Sequence, residues 1–391
     1  MRIVSIVGTR PEAIKMAPLI SRLRLERQLE SYVISTGQHR TMLQSVFDLF
    51  GIIPDRDLKV MEPNQTLNGL TARLIERLDA TFERFRPDRV LVHGDTTTAM
   101  VAALAAFHRR IPVGHVEAGL RTHDVQRPWP EEMNRRYVDV VSDLLFAPTE
   151  QSAANLAAER LNGRIVITGN TVIDALQETA ARIEGSAALR ASLAAGLPHI
   201  AGNRKLLLVT RHRRENFGDG FEQVCEALRL LAGRGDIEII YPVHLNPNVR
   251  DVVLARLGGL PNVHLIDPLD YGRFVYMMNL AHVVLTDSGG VQEEAPSLGK
   301  PVLVMRDVTE RPEAVTAGTV QLVGTDTARI VAAVSELYDS PEVWRRFAHR
   351  TNPYGDGRAA DRIVDVLAGR NVDEFNSEFE DAAPKDLALS A

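Results

Sequence analysis

Short, uniformly apolar runs alternate with long amphipathic ones along this chain, and that alternation limits its possible folds more than any other feature. "RIVSIVG", "SYVIST", "RVLVHGD", "PVGHVEAG", "LLFAPT" and "RIVITGN" read as strands, and "LNGLTARLIERLDATFERF" and "TTAMVAALAAFHRR" between them as helices. Strands without a polar face are buried on both sides, as in a parallel sheet covered by helices. The pattern breaks at 181–205, in "ARIEGSAALRASLAAGLPHIAGNRK". It then resumes with "KLLLVTRH", "IEIIYPVH", "VHLIDP", "HVVLTDS", "PVLVM" and "TVQLVG". A chain of 391 residues exceeds what one hydrophobic core usually supports. The expected fold class is α/β, with two Rossmann-like doubly wound domains facing across a cleft. The first spans 1–170 and the second 171–357, followed by a helix over 358–369 in "AADRIVDVLAG" and an acidic tail over 370–391 that is expected to be disordered.

A formal net charge of -6 carries no electrostatic signature for nucleic acid. No run approaches a membrane span, and the N-terminus lacks the apolar region and cleavage site of a signal peptide, so a cytoplasmic protein is expected. The single cysteine, Cys225, falls at an apolar position of "FEQVCEALRLL" and reads as a core thiol. The first strand runs into "GTRPEA" instead of G-x-G-x-x-G. No phosphate-loop motif is present, and no Cys/His spacing suggests a metal. No redox cofactor and no metal are expected.

Arg-Pro-Glu-Ala occurs twice, in "GTRPEAIKMAPLI" and "VTERPEAV". In the first, Thr9 and Glu12 have capping-box spacing and Pro11 suits a first helical turn. Arg10 and Lys15 oppose the helix dipole there unless an anion is bound. "TDSGGVQEEAPSLGKP" follows a strand, and Ser288, Gly289 and Gly290 have the make-up of a phosphate cradle at a helix start. Glu294 is suited to accept both hydroxyls of a ribose. Arg311, just past the next strand, is expected at the same sheet edge as Ser288. Asp95, Glu117 and Glu131 sit at strand ends or helix starts of the first half, where a group of carboxylates shares protons. His212, among Arg211, Arg213 and Arg214, and His244 each end a strand of the second half. His212 suits a developing diphosphate charge.

"GTRPEAIKMAPLI", "TGQHR", "VHGDTTTA", "VGHVEAGLRT", "PEEMNRR", "TGNTVIDA", "HRRENFG", "YPVHLNPNV" and "DSGGVQEEAPSLGKPVLVMRDVTERPEAV" together resemble the non-hydrolysing UDP-N-acetylglucosamine 2-epimerases over residues 3–368. The resemblance implies the glycosyltransferase-B architecture, with the C-terminal helix packing back on the first domain. It implies reversible conversion of UDP-N-acetylglucosamine (UDP-GlcNAc) to UDP-N-acetylmannosamine (UDP-ManNAc) by a homodimer without a redox cofactor. Carried over residue by residue, Ser288, Gly289 and Gly290 hold phosphates and Glu294 the ribose, while Arg10, Lys15 and Arg311 neutralise charge. Asp95, Glu117, Glu131 and His212 fall among the acid/base groups.

The C2 hydrogen of such a sugar is not acidified by a carbonyl. Without a nicotinamide site, elimination of UDP to a 2-acetamidoglucal followed by re-addition is the route these residue types suit. A glycosyltransferase on the same fold, or a hydrolysing relative that releases UDP and ManNAc, is the alternative. Many bacterial members of the family are activated by a second substrate molecule near the "QHR" stretch. Thr41 and Asn64 depart from the residues often seen there, and Arg211 replaces a usual small residue before the "HRRE" motif.

Overall fold

The computed structural model describes residues 1–37, 40–211, 219–243, 247–309 and 311–377. Thirteen strands form among them: β1 (Arg2–Val7), β2 (Glu30–Ser35), β3 (Arg56–Asp57), β4 (Arg89–His93), β5 (Val113–Val116), β6 (Leu144–Ala147), β7 (Arg164–Ile167), β8 (Lys205–Thr210), β9 (Ile237–Pro242), β10 (Val263–Ile266), β11 (Ala281–Thr286), β12 (Val302–Val304) and β13 (Val320–Leu322). They build two parallel sheets, ordered β3-β2-β1-β4-β5-β6-β7 and β10-β9-β8-β11-β12-β13. Each is covered by helices, which makes the fold two Rossmann-like α/β units. The expected strands all form. The two-residue β3, which pairs Arg56 and Asp57 with Ile34 and Ser35, is too short to leave a periodic signal.

The apolar runs form strands because both faces are packed. Val4, Ile6, Val90 and Val92 point to one side of the first sheet, toward Leu74, Leu78 and Phe82 of the helix Leu67–Phe85. Ile3 and Val7 point to the other, toward Ala13, Met16 and Ile20 of the helix Arg10–Leu25. Cys225 is buried in the apolar cluster of the second sheet, and burial pushes its thiol up to about 11, as befits a core thiol.

Strand order reverses between β1 and β4 in the first sheet and between β8 and β11 in the second. Ligands of doubly wound sheets bind beyond the C-terminal strand ends at such points. The segments leaving these four ends are Gly8–Lys15, Gly94–Thr97, the run after Thr210, and Asp287–Gly290. Gly8 is needed here because a Cβ on it would fall 2.4 Å from Thr98 Oγ1 and 2.6 Å from Thr36 Oγ1.

The helix Thr171–Gly185 packs on Arg10–Leu25 and also on Tyr271–Leu280 and Gly289–Ser297, so it belongs to the core of both units. The final helix, Ala359–Leu367, lies against Arg10–Leu25 and Thr171–Gly185. Asp174 accepts its first N–H groups, from Ala359 at 3.3 Å and Ala360 at 2.8 Å. Arg22 binds its Asp361 at 2.8 Å. Among the described residues no helix is long and apolar enough to cross a membrane.

Candidate active site

A cleft of about 400 Å³ opens between the two units. Arg10, Pro11, Ile14 and Lys15 line it from the first, and Thr210, Pro242, Leu269, Tyr271, Ser288, Gly290 and Glu294 from the second. Ser288 is the N-cap residue of the helix Gly289–Ser297, its side chain makes no capping bond, and its N–H donates to Thr286 Oγ1 at 2.9 Å. A Cβ on Gly289 would come no closer than 4.0 Å to Arg311, and one on Gly290 no closer than 3.8 Å to Glu294. The fold would therefore accept side chains at both positions. Glycine keeps the helix N-terminus bare toward the cleft, which suits the close approach of a phosphate.

A chain of ionic contacts runs from one unit to the other beside this cleft. Lys15 pairs with Oε1 of Glu117, and that oxygen also accepts from Asn170 Nδ2 at 2.9 Å. Asn170 Nδ2 donates to Glu293 at 2.8 Å, and Glu293 pairs with Arg311. Burial would raise the Glu117 carboxyl, but the Lys15 ammonium, helped by His93 and then Arg311, holds it well below the usual carboxylate range. Burial would lower Lys15 and Arg311. The carboxylates outweigh it: Glu117 and Glu293 raise Lys15, and Glu293, followed by Tyr354 and Glu117, raises Arg311. Of the two cations that sequence reasoning found unbalanced at the first helix start, Lys15 thus has a carboxylate partner distant in sequence, and Arg10 meets a backbone carbonyl.

Both repeats begin helices, yet their glutamates differ in use. Glu12 accepts from the N–H of Gly8 at 3.2 Å and of Thr9 at 2.6 Å, and from Thr96 Oγ1 at 2.8 Å, tying the Lys15 helix to the turn that carries Asp95. Glu313 instead accepts from Tyr354 at 3.0 Å. The second repeat is a short helix, Pro312–Thr316, with Arg311 as its N-cap. Arg10 donates to Leu269 O at 3.3 Å, across the cleft.

Glu117 itself has φ +69°, a left-handed conformation uncommon for a residue with a Cβ, and such outliers gather at functional sites. Behind it the buried side chains of His115, Asp139 and Arg121, with the half-buried Glu159 at their edge, hold the turn. His115 lies 2.6 Å from Asp139 and 2.8 Å from Gly94 O, and Arg121 joins Asp139 at 2.7 Å and Glu159 at 2.7 Å.

The other expected residues are more dispersed. Asp95 is half-buried and pairs with Arg135. Glu131 is half-buried at the first position of the helix Glu131–Val141. Its neighbour Glu132 is the fully buried one and accepts from the N–H of Thr122 at 3.1 Å and His123 at 3.2 Å. His212 and His244 lie outside the described residues, as do the "QH" of the "QHR" stretch and residues 378–391 of the acidic tail. Asn64 is exposed with φ +55°, a backbone state asparagine tolerates better than most residues. Arg211 is buried, its guanidinium 4.5 Å over the Phe221 ring.

Sequence reasoning did not assign His93, Asn170 or Glu293 to the site. His93 and Asn170 stand in the quoted "VHGD" and "TGNTVIDA", so a polar residue closing an apolar strand was the available signal. Glu294 is buried, with Tyr271 donating to it at 3.3 Å. Burial first, and Glu293 second, push its carboxyl up to about 7.

Two parallel α/β units with a bare helix N-terminus, a buried carboxylate and paired cations across one cleft define a protein of the glycosyltransferase-B fold. A glycosyltransferase of kitacinnamycin shares that fold at a TM-score of 0.64 and 16% identity, covering 94% of this chain and 98% of its own. Residues 21–368 match the UDP-N-acetylglucosamine 2-epimerase family, and the chain belongs to it. The UDP-N-acetylglucosamine 2-epimerase of Escherichia coli K12 is 54% identical over 374 residues, 95% of this chain and 100% of the relative. The crystal structure of UDP-GlcNAc 2-epimerase from Neisseria meningitidis bound to UDP-GlcNAc superimposes with a TM-score of 0.86 at 48% identity, over 95% of this chain and 100% of that one. The Methanocaldococcus jannaschii enzyme in complex with UDP-GlcNAc and UDP gives a TM-score of 0.78 at 31% identity, over 94% and 100%.

Proposed function

We propose that the protein interconverts UDP-GlcNAc and UDP-ManNAc by eliminating UDP to a 2-acetamidoglucal and adding it back, without hydrolysis and without a redox cofactor. The observation that carries this reading is the Lys15–Glu117–Asn170–Glu293–Arg311 chain at the edge of the nucleotide cleft. It sets a buried carboxylate among cations, as a reaction needs when it moves a proton and releases a diphosphate together. A glycosyl transfer would need the cations and the cradle but no such buried base.

In this reading Ser288, Gly289 and Gly290 hold the diphosphate at the helix start, Glu294 takes the ribose hydroxyls, and Arg10, Lys15 and Arg311 balance the phosphate charge. His244 joins this binding set. Glu117 takes the C2 proton of one epimer. Asp95, Glu131 and His212 supply the proton on the other face and assist the leaving diphosphate. The division at residues 170 and 357, with the last helix returning to the first unit, belongs to the same proposal. So does activation by a second UDP-GlcNAc. A homodimer is supported by Phe107, Met133 and Val140, exposed on two neighbouring helices. Chromatography of the nucleotides after incubation with UDP-GlcNAc tests the non-hydrolysing character. A second UDP-sugar at a constant total is expected, whereas accumulating UDP with free ManNAc would overturn it.

A pH dependence follows from Glu294, which Glu293, Tyr271, Lys15 and Arg10 surround. The ribose hydroxyls donate to a carboxylate, while the unliganded group holds its proton up to about pH 7. Binding therefore releases a proton below that pH, and affinity rises with pH. UDP-GlcNAc binding to a Glu117→Gln protein, followed by calorimetry, is expected to tighten about tenfold from pH 6 to pH 8. A further Glu294→Gln change should flatten the profile, and an unchanged slope would remove Glu294 from this role.

A further inference from the structure

His93 closes β4 with 3% of its surface exposed, and its Nε2 has no hydrogen-bond partner among the described residues. This nitrogen lies 3.6 Å from Oε2 of Glu117, beyond a normal hydrogen bond. The other oxygen of that carboxylate already receives Lys15 and Asn170. Burial, reinforced by Lys15 and His115 and opposed by Glu117, pushes the ring down to about 3, so it is neutral at pH 7. A neutral ring that carries its hydrogen on Nδ1 leaves a lone pair on Nε2. In that tautomer two buried acceptors, Nε2 and Oε2, face each other across 3.6 Å. A proton arriving on Oε2 satisfies both.

We propose that His93 is a positioning residue for proton transfer at C2, its Nε2 accepting a hydrogen bond from Glu117 once Oε2 has taken the substrate proton. The proposal rests on the epimerase reading above. In the step it serves, the C2–H bond breaks and its electron pair forms C1=C2. The C1–O bond breaks and its pair leaves with UDP, while the proton resides on Oε2, turned toward His93. The reverse step returns the proton to C2, and the imidazole stays neutral throughout. His93 thus stabilises the protonated carboxyl that elimination creates.

The test uses the full chain with His93→Phe and His93→Gln, assayed with UDP-GlcNAc and with its C2-deuterated form. Removing one hydrogen bond that forms during the reaction should lower kcat about tenfold or more in the Phe variant, with KM within about twofold. The deuterium effect on kcat should grow, because proton transfer becomes the slower step. Gln presents an amide oxygen near the place of Nε2 and should restore most of the rate. If the Phe protein fails to bind UDP or to fold, His93→Asn, whose amide reaches only as far as Nδ1, replaces it with the same expectation. A kcat unchanged within about twofold, or an equal fall in every variant with an unaltered deuterium effect, overturns the proposal. An unsubstituted protein that converts no UDP-GlcNAc overturns the epimerase reading along with it. Conversion that the His93 variants leave intact overturns this inference alone.

Discussion

Glu117→Gln is expected to bind UDP-GlcNAc and fail to turn it over. Glutamine keeps the size of the side chain and can still meet Asn170 through its carbonyl, so the cleft retains its shape. It cannot take a proton, and loss of a positioned base removes about 10²- to 10⁴-fold of rate. The same change takes away the carboxylate facing Lys15, whose ammonium also faces Glu293. Breaking a buried pair on one side destabilises by about 3–5 kcal/mol when the remaining charge is left alone. The nearby Glu293 charge should hold the effect to the low end of that range. The checks are kcat, UDP-GlcNAc affinity by calorimetry, and thermal unfolding on one preparation. Turnover within about tenfold of the parent would remove Glu117 from acid/base chemistry.

Lys15→Met is expected to be the other severe lesion, for two separable reasons. It removes a cation from the cleft lining, where on the proposed reading a charge-assisted contact to the diphosphate contributes about 1.5–3 kcal/mol, so KM should rise. It also removes the main charge that keeps Glu117 ionised. Burial then weighs more heavily and moves that carboxyl upward, against His93 and Arg311, so the base holds a proton at pH values where the parent's does not. A combined loss in kcat/KM of about 10³-fold corresponds to about 4 kcal/mol of transition-state stabilisation. The sign of the pH dependence distinguishes this account from simple loss of binding. Glu117 is ionised across neutral pH in the parent, and in the variant it should ionise only at higher pH. The acidic limb of the kcat profile should therefore move upward, with partial recovery in alkaline buffer. An acidic limb that stays in place would mean that Lys15 does not govern Glu117.

The fold was legible because the strands are buried on both faces, which writes their burial into unbroken apolar runs such as "KLLLVT" and "AHVVLT". The helix Thr171–Gly185 was harder to read. Its start falls inside the "TGNTVIDA" motif, and it packs on helices of both units, so neither its pattern nor its place in the chain assigns it to one. Within the site, local chemistry was legible and distant pairing was not. Thr9, Pro11 and Glu12 announced a helix start, but nothing local indicates that Glu12 also receives Thr96 or that Lys15 reaches Glu117, 102 residues away. The bare helix start at "DSGG" showed in the sequence because glycines at a strand-to-helix turn are a local backbone feature. Glu293 stood beside an assigned glutamate, and only the packing of the helix Gly289–Ser297 within the second unit shows that it faces Arg311 while Glu294 lines the cleft.

Proton NMR of UDP-GlcNAc incubated with the protein in deuterated water, with no NAD added, tests the central claim most directly. Elimination and re-addition through an exchangeable carboxyl predict a UDP-ManNAc anomeric signal, with deuterium entering C2 of both sugars. Free UDP with ManNAc, or a UDP-ManNAc signal that keeps protium at C2, would contradict it.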